Sequence, residues 1–152
     1  MSKLLEIALS QYGQKEIEGN EDNKTILKYS TEAGHVWVSH DETPWCSIFV
    51  DWVAMKAGVE RTHKANALSW LSVGELTMEP ITGDIAIFKR GTDPKSGHVG
   101  IFIAYEVNAF QKSTGYIYIL GGNQNNQVKI STFHENDLLG FVKLRETKNK
   151  IS

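Results

Sequence analysis

The chain has 152 residues, of which 41% are hydrophobic and 22% charged, and its formal net charge at pH 7 is −2. A chain of this length forms one globular domain that buries roughly two-thirds of its unfolded surface. No run of Lys or Arg exceeds two residues. These properties exclude a strongly basic surface, so nucleic acid is not an expected partner. We expect one domain over residues 1–152, with a frayed tail at about 147–152.

The compartment is constrained by the single cysteine and by the first residues. Cys46 cannot form an internal disulfide, so the fold does not depend on an oxidising environment. The start, "MSKLLEIALSQYG", carries a glutamate within a short apolar stretch and lacks the long apolar region of a signal peptide. No apolar run approaches the ~20 residues that cross a bilayer, so membrane insertion is not expected. We therefore expect a protein that is cytoplasmic until it is released or injected.

Helical periodicity dominates the first half of the chain. Apolar residues predict a first helix over 3–12, ended by Gly13, and a weaker second helix near 22–30. The segment "NALSWLSVG" predicts a short helix or turn.

A third helix, over 44–57, is bounded by recognisable start and stop residues. Thr43 is a suitable N-cap, Pro44 fits the first helical position, and Gly58 marks the end. Few polar residues interrupt its apolar surface, which predicts a helix buried on most sides against a sheet.

Strand-like alternation begins after Gly83. Short loops favour antiparallel neighbours, because parallel strands need crossovers of a dozen or more residues. Helices followed by strands indicate an α+β fold, with the helices packed on one side of a five- to six-stranded antiparallel sheet. The five predicted strands are "DIAIFKR", "HVGIFIAYE", "GYIYIL", "QVKISTF" and "GFVKLR".

Cys46 lies in the first turn of the third predicted helix. Unpaired N–H groups and the helix dipole favour a thiolate there, which would make the sulfur a nucleophile. Buried cysteines are also common as small apolar residues, so the position alone leaves both interpretations open. A nucleophilic cysteine needs a base within hydrogen-bond reach.

His98 is the best candidate for that base. It opens the strand "HVGIFIAYE", and the two-residue period places it on one face with Gly100, where another element could approach closely. A strand-edge histidine with a satisfied ring is the alternative. The other histidines lie in polar or turn-like stretches, and we expect solvated positions for His40, His63 and His134 and a flanking loop role for His35.

Asn123 is the candidate for a third residue that orients the imidazole. It follows the strand "YIYIL" in "GGNQNN", where two glycines permit an unusual backbone path. Gln124 and Asn125 are its competitors, and a simple glycine-rich turn is the alternative.

Four segments together resemble the CHAP and NlpC-type cysteine hydrolases, a papain-like superfamily, and in particular its short, single-domain, often phage-associated members. The likeness extends from about Gln11 to Arg145. The order WC, GD, GHVG and GGNQ carries it. The segments are "PWCSIFVDWVAMKAG", "PITGDIAIFKR", "SGHVGIFIA" and "LGGNQNNQV".

The resemblance implies hydrolysis of an amide bond in the peptidoglycan peptide by Cys46, His98 and Asn123, in the periplasm or cell wall. It implies no cofactor and no metal, and the sequence has no recognisable zinc spacing. The peptide stem is the expected partner, with an immunity inhibitor or a delivery apparatus as a further one. Asp84 matches a recurrent position that we expect to be a structural turn anchor. Trp37, Trp45 and Trp70 either line a groove or belong to the core.

Several alternatives stay open at this point. The cleaved bond could be the muramoyl–alanine amide or a stem or cross-bridge peptide bond, and the setting a phage lysin or a toxin injected into a rival cell. The same fold could also act on a lipid acyl ester or a protein amide. An inactive wall-binding module is the alternative from another functional class.

Overall fold

The computed structural model describes residues 2–15, 24–35 and 45–147. Within these ranges, three α-helices precede a sheet of six strands, and the α+β expectation is confirmed. The helices are α1 (Lys3–Ser10), α2 (Lys24–Ala33) and α3 (Cys46–Ala57). The strands are β1 (Glu75–Thr77), β2 (Ile85–Lys89), β3 (Gly97–Val107), β4 (Ser113–Gln124), β5 (Gln127–His134) and β6 (Leu138–Lys143). Short 3-10 helices cover Ala67–Ser72 and Glu135–Asp137.

Helix α3 starts later than the sequence indicates. Its first residue is Cys46, and Trp45 occupies the cap position without a side-chain cap hydrogen bond. The expected Thr43 cap and Pro44 lie outside the described residues. Gly58 ends the helix with a left-handed φ of 73°, as predicted. Cys46 is therefore the first helical residue rather than the third residue after the cap.

The sheet is antiparallel throughout, with the strand order β1-β6-β2-β3-β4-β5. Five of its strands correspond to the predicted segments, and the sixth, β1, was not predicted. β1 has only three residues, two of them exposed, so it lacks the alternation that identifies a strand. The predicted frayed tail falls outside the described residues except for Thr147, whose N–H donates to Gly58 O at 3.0 Å.

The two faces of the sheet bury different sets of residues. One face packs against the helices and includes Val99 and Ile101 of β3. The other forms a separate cluster within the sheet and includes Phe88 and Phe102. The alternation predicted for β3 is thus observed, because neighbouring residues along the strand enter different clusters.

Helix α3 and the residue before it, Trp45, approach the sheet closely at Gly122 of β4. A methyl group added there would lie 2.7 Å from Phe49 Cβ and 2.7 Å from Trp45 Cε3. The close approach expected at Gly100 is made by a different element, since the nearest atoms to an added methyl group there belong to Ile119, Leu120 and Gln124. The helix therefore needs a glycine on β4 rather than on β3.

Gly122→Ala should destabilise the protein by about 1–3 kcal/mol, because the added methyl group forces α3 away from the sheet. Gly140→Ala is a matched control, since its added methyl group would have its nearest neighbours at 3.4 Å and 3.5 Å, in ordinary contact. Urea unfolding of the two variants and the parent measures the difference. Equal free energies of unfolding for both variants would contradict the close approach of α3 to Gly122.

Candidate active site

The first turn of α3 directs Cys46 toward strand β3. Burial raises the pKa of the Cys46 thiol, while the backbone groups of Val99, Ser47 and Cys46 itself act in the opposite direction. The positive charge of Arg90 also lowers the pKa. Burial has the larger effect, because only 5% of the residue is exposed. The resting form of Cys46 is therefore the thiol.

The β2–β3 hairpin places His98 beside Arg90. His98 is the register partner of Phe88, so the two side chains share one face of the sheet. Arg90 comes two residues after Phe88 and lies on the same face. Its backbone N–H donates to Ser96 O at 3.1 Å, which closes the hairpin. As a result, Arg90 Nη2 lies 3.2 Å from His98 Nδ1.

A bulge near the end of β4 turns Gln124 toward the same histidine. The register of β4 with β5 runs from Gly121 opposite Lys129 to Gln124 opposite Gln127, so β4 contains one extra residue. Asn123 lies within this bulge and has a left-handed φ of 57°. One extra residue reverses the alternation of side chains between the two faces. Gln124 consequently shares the face of Gly121, where an added methyl group would lie 2.5 Å from Gln124 Oε1.

Gln124, and not Asn123, therefore makes the hydrogen bond expected of the third residue. His98 Nε2 lies 2.9 Å from Gln124 Oε1, and both side chains are buried. No hydrogen bond joins Asn123 to His98 in the part of the chain that the structure describes. Gln124 was one of two competitors weighed from the sequence, the other being Asn125, and the bulge is the physical reason that Gln124 replaces Asn123 at this contact.

The hydrogen-bond partners of Gln124 determine the tautomer of His98. Gln124 Nε2 donates to Ile119 O at 3.0 Å and to Lys129 O at 2.7 Å, so its Oε1 must face the imidazole. An amide oxygen only accepts, and His98 Nε2 therefore carries the hydrogen. Nδ1 then bears the lone pair, which accepts from Arg90 because a guanidinium group only donates.

The imidazole of His98 is neutral at physiological pH. Its pKa is lowered to about 4, chiefly by burial and to a smaller extent by the nearby charge of Arg90, while the hydrogen bond with Gln124 acts in the opposite direction. The ring stacks on Phe133 with 4.7 Å between centroids and 15° between planes. Only 2% of the residue is exposed. Both members of the expected catalytic pair are thus uncharged in this state.

Cys46 and His98 are brought to the same end of β3 but are not hydrogen-bonded to each other in the described structure. Cys46 contacts the backbone of Val99, the residue next to His98, and the charge of Arg90 acts on both side chains. Arg90 was missed in the sequence. Its contact with His98 follows from the pairing of Phe88 with His98, a register that the sequence alone does not give.

His35 is buried, in contrast to the expected flanking loop role. Its Nε2 lies 3.0 Å from Asp51 Oδ2, and Arg61 Nη1 lies 3.1 Å from the same oxygen. Asp51 is fully buried in α3 and also accepts the backbone N–H of His63 at 3.0 Å. The sequence did not predict this cluster. Asp51 stands out as a polar residue in an apolar helix, but its partners are distant from it in the sequence.

Two other histidines and Asp84, which the sequence also singled out, are hydrogen-bonded to residues other than His98 and Gln124. The side chain of His63 is exposed, while His134 ends β5 and accepts the backbone N–H of Asn136 at 3.0 Å. Asp84 accepts the backbone N–H of Ile81 and a hydrogen from Lys143, each at 2.8 Å, as expected of a turn anchor. His40 lies outside the described residues.

Two of the three tryptophans considered as groove residues belong to the core. Trp45 is 2% exposed, and Trp70 is fully buried and donates from Nε1 to Ser47 Oγ at 2.9 Å. Trp37 lies outside the described residues.

Folding should become less favourable in acid because of His98. The folded-state pKa of about 4 lies below the ordinary 6.5, so the unfolded chain binds more protons between these values. The stabilisation that neutral His98 contributes is present above pH 6.5 and falls by about 2 kcal/mol between pH 7 and pH 5. Urea unfolding at both pH values, compared between the parent and His98→Gln, measures it. An identical pH dependence in the two proteins would contradict the lowered pKa.

Comparison with known proteins identifies a family for the chain. Residues 38–123 match the CHAP domain family, a range that includes Cys46 and His98 and ends one residue before Gln124. No curated protein matches the chain. None of the helices in the described ranges has the length and apolarity needed to span a membrane.

A crystal structure of a Staphylococcus aureus protein, described as similar to a lipoprotein of the NLP/P60 family, has a similar fold. The TM-score is 0.50 at 20% sequence identity, over 97% of this chain. The chain spans 41% of the length of that protein. The match over more than half of the sequence shows that the chain belongs to the CHAP family, a family of peptidoglycan hydrolases and amidases.

Proposed function

We propose that the chain is a cysteine-dependent amidohydrolase that cleaves an amide bond of the peptidoglycan peptide. Cys46 is the nucleophile, His98 the general base, and Gln124 the residue that orients the imidazole. The observation that carries this assignment is the hydrogen bond between His98 Nε2 and Gln124 Oε1 at 2.9 Å. This hydrogen bond leaves the lone pair of the imidazole on Nδ1, which can then accept the proton of the Cys46 thiol.

The proposed reaction begins with transfer of the Cys46 proton to His98 Nδ1. The thiolate attacks the amide carbonyl, and backbone N–H groups at the start of α3, including those of Cys46 and Ser47, stabilise the tetrahedral oxyanion. His98 Nδ1 returns the proton to the leaving amine, which leaves a thioester on Cys46. Water then hydrolyses the thioester, and the enzyme returns to the thiol form. These steps use no cofactor.

Digestion of purified peptidoglycan followed by mass analysis of the fragments tests the reaction directly. An amidohydrolase releases one new amine and one new carboxyl group for each cleaved bond. The fragment masses identify the bond as the muramoyl–alanine amide or as a peptide bond of the stem or cross-bridge. Release of a fatty acid or of ammonia from protein, with peptidoglycan intact, would instead favour another substrate of the same fold. Binding to peptidoglycan without cleavage would favour an inactive module.

Cys46→Ala should abolish hydrolysis while the protein stays folded. The variant loses the nucleophile, whereas the side-chain volume lost is small. Clearing of a cell-wall suspension measures activity, and thermal unfolding measures folding. Cys46→Ser, which keeps the shape but lacks a comparable nucleophile, should be similarly inactive. Parental clearing by either folded variant would contradict the assignment of the nucleophile.

Gln124→Ala should lower kcat by at least about tenfold, because His98 loses the acceptor that fixes its tautomer. Asn123→Gly is the matched control, since it removes the neighbouring side chain while glycine keeps the left-handed backbone at no steric cost. Circular dichroism checks that both variants fold. Loss of activity in Asn123→Gly together with full activity in Gln124→Ala would restore Asn123 as the orienting residue.

A further inference from the structure

The guanidinium group of Arg90 is hydrogen-bonded to the ring nitrogen of His98 that accepts a proton in the proposed reaction. Arg90 Nη2 donates to His98 Nδ1 at 3.2 Å, while Nε2 is held by Gln124. A lone pair that already accepts a hydrogen bond cannot take a proton from Cys46. Protonation of Nδ1 would also place an imidazolium against a guanidinium, since Arg90 already lowers the pKa of His98. The described arrangement is therefore a resting state, from which Arg90 must move before proton transfer.

Arg90 has unused capacity for an anionic partner. Arg61 pairs with Asp51 at 3.1 Å, and Arg145 pairs with Glu75 at 3.4 Å. By contrast, Arg90 forms no ion pair with a carboxylate of the described residues. It also lies at an exposed end of β2. A guanidinium group carries five N–H donors, and the hydrogen bond to a neutral imidazole engages only one of them.

A carboxylate is a stronger partner for this guanidinium than the imidazole is. Both groups are ionised in a guanidinium–carboxylate pair, whereas only the donor is ionised in the hydrogen bond to the neutral imidazole, and a carboxylate can accept two parallel N–H bonds from the planar fork. An incoming carboxylate close to Arg90 would therefore compete for it and release the lone pair of His98 Nδ1. A peptide that ends in a free carboxylate supplies this group, whereas the same peptide ending in a carboxamide does not.

We propose that Arg90 is a specificity-determining residue that binds a free carboxylate of the peptide substrate and, in doing so, leaves His98 Nδ1 free to accept the Cys46 proton. The inference rests on the proposed function, because it assigns Arg90 to the substrate of that same site. Its consequence is a preference for peptide stems with a free carboxylate near the cleaved bond over stems in which that group is amidated. Occupation of the site by substrate and activation of the base are then coupled through one side chain.

Binding tests the proposal without turnover. A synthetic stem pentapeptide with a free terminal carboxylate, and its carboxamide analogue, are titrated into the 152-residue Cys46→Ala protein and followed by calorimetry and by the ¹⁵N signals of the His98 ring. We expect about tenfold tighter binding of the carboxylate peptide, and a shift of the Nδ1 signal toward that of an unbonded nitrogen. Arg90→Ala should bind the two peptides equally. Equal affinities in the Arg90-containing protein, or no binding of either peptide, would overturn the proposal.

Hydrolysis of the two peptides separates the substrate preference from general effects of charge. The ratio of kcat/KM for the carboxylate peptide to that for the carboxamide should be about 10 in the parent and about 1 in Arg90→Ala. Arg90→Lys keeps the charge without the planar fork and should have an intermediate ratio. Lys89→Ala, which removes a positive charge from the adjacent exposed residue, should keep the parental ratio. Cleavage with equal ratios in the parent and Arg90→Ala would overturn the role of Arg90.

The failure of the proposed function has a different signature. If that function is wrong, neither peptide nor purified peptidoglycan is hydrolysed by the parent, although binding that depends on Arg90 and on the carboxylate is still observed. If only the role of Arg90 is wrong, hydrolysis occurs and is lost in Cys46→Ala, but neither affinity nor kcat/KM depends on the carboxylate.

Discussion

The hydrogen bond between Gln124 and His98 is the interaction on which the chemistry of the site depends. It forms because β4 carries one extra residue at Asn123, which moves Gln124 onto the face of the histidine. Gln124 is itself fixed by two backbone carbonyls, so its amide cannot turn to offer a donor instead. The hydrogen on the imidazole must then be on Nε2. A single bulge thus decides which ring nitrogen can act as a base.

Burial opposes ionisation of both reactive groups. It raises the pKa of the Cys46 thiol and is the main reason that the pKa of His98 is lowered to about 4, so the proton stays on sulfur at neutral pH. The charge of Arg90 has a mixed effect, because it favours the thiolate but disfavours the imidazolium. An anion beside Arg90 would reduce the penalty on the imidazolium and shift the balance toward proton transfer. Charge brought by the substrate is therefore a physically reasonable way to activate a buried, neutral pair.

The sequence predicts those parts of the fold that follow from regular periods. The two-residue alternation placed His98 and Val99 on opposite faces of β3, and the apolar surface of the third predicted helix indicated its burial. The residue of β4 that contacts His98 could not be identified from the two-residue alternation, because a bulge reverses that alternation within the strand. The asparagines around it carried a partial signal: Asn123 and Asn125 both adopt left-handed backbone angles, which asparagine tolerates better than most residues.

Close approach and buried polar contacts are harder to predict for a related reason. Glycine at residue 100 and glycine at residue 122 look alike in the sequence, but only Gly122 lies under α3. The contact between Arg90 and His98 depends on the register of a hairpin, which fixes partners across strands rather than along the chain. Such contacts become visible only when the pairing of strands is known.

The orientation of α3 requires more than apolar packing. The hydrophobic effect is non-directional, and a helix buried on most sides has no strong preference for one rotation about its axis. The buried carboxylate of Asp51 removes this freedom, because it needs donors, which among the described residues Arg61, His35 and the backbone of His63 supply. Rotation of the helix would leave that charge unpaired at a cost of several kcal/mol. Asp51 thus fixes the rotation that directs Cys46 toward β3, although it lies more than one turn away.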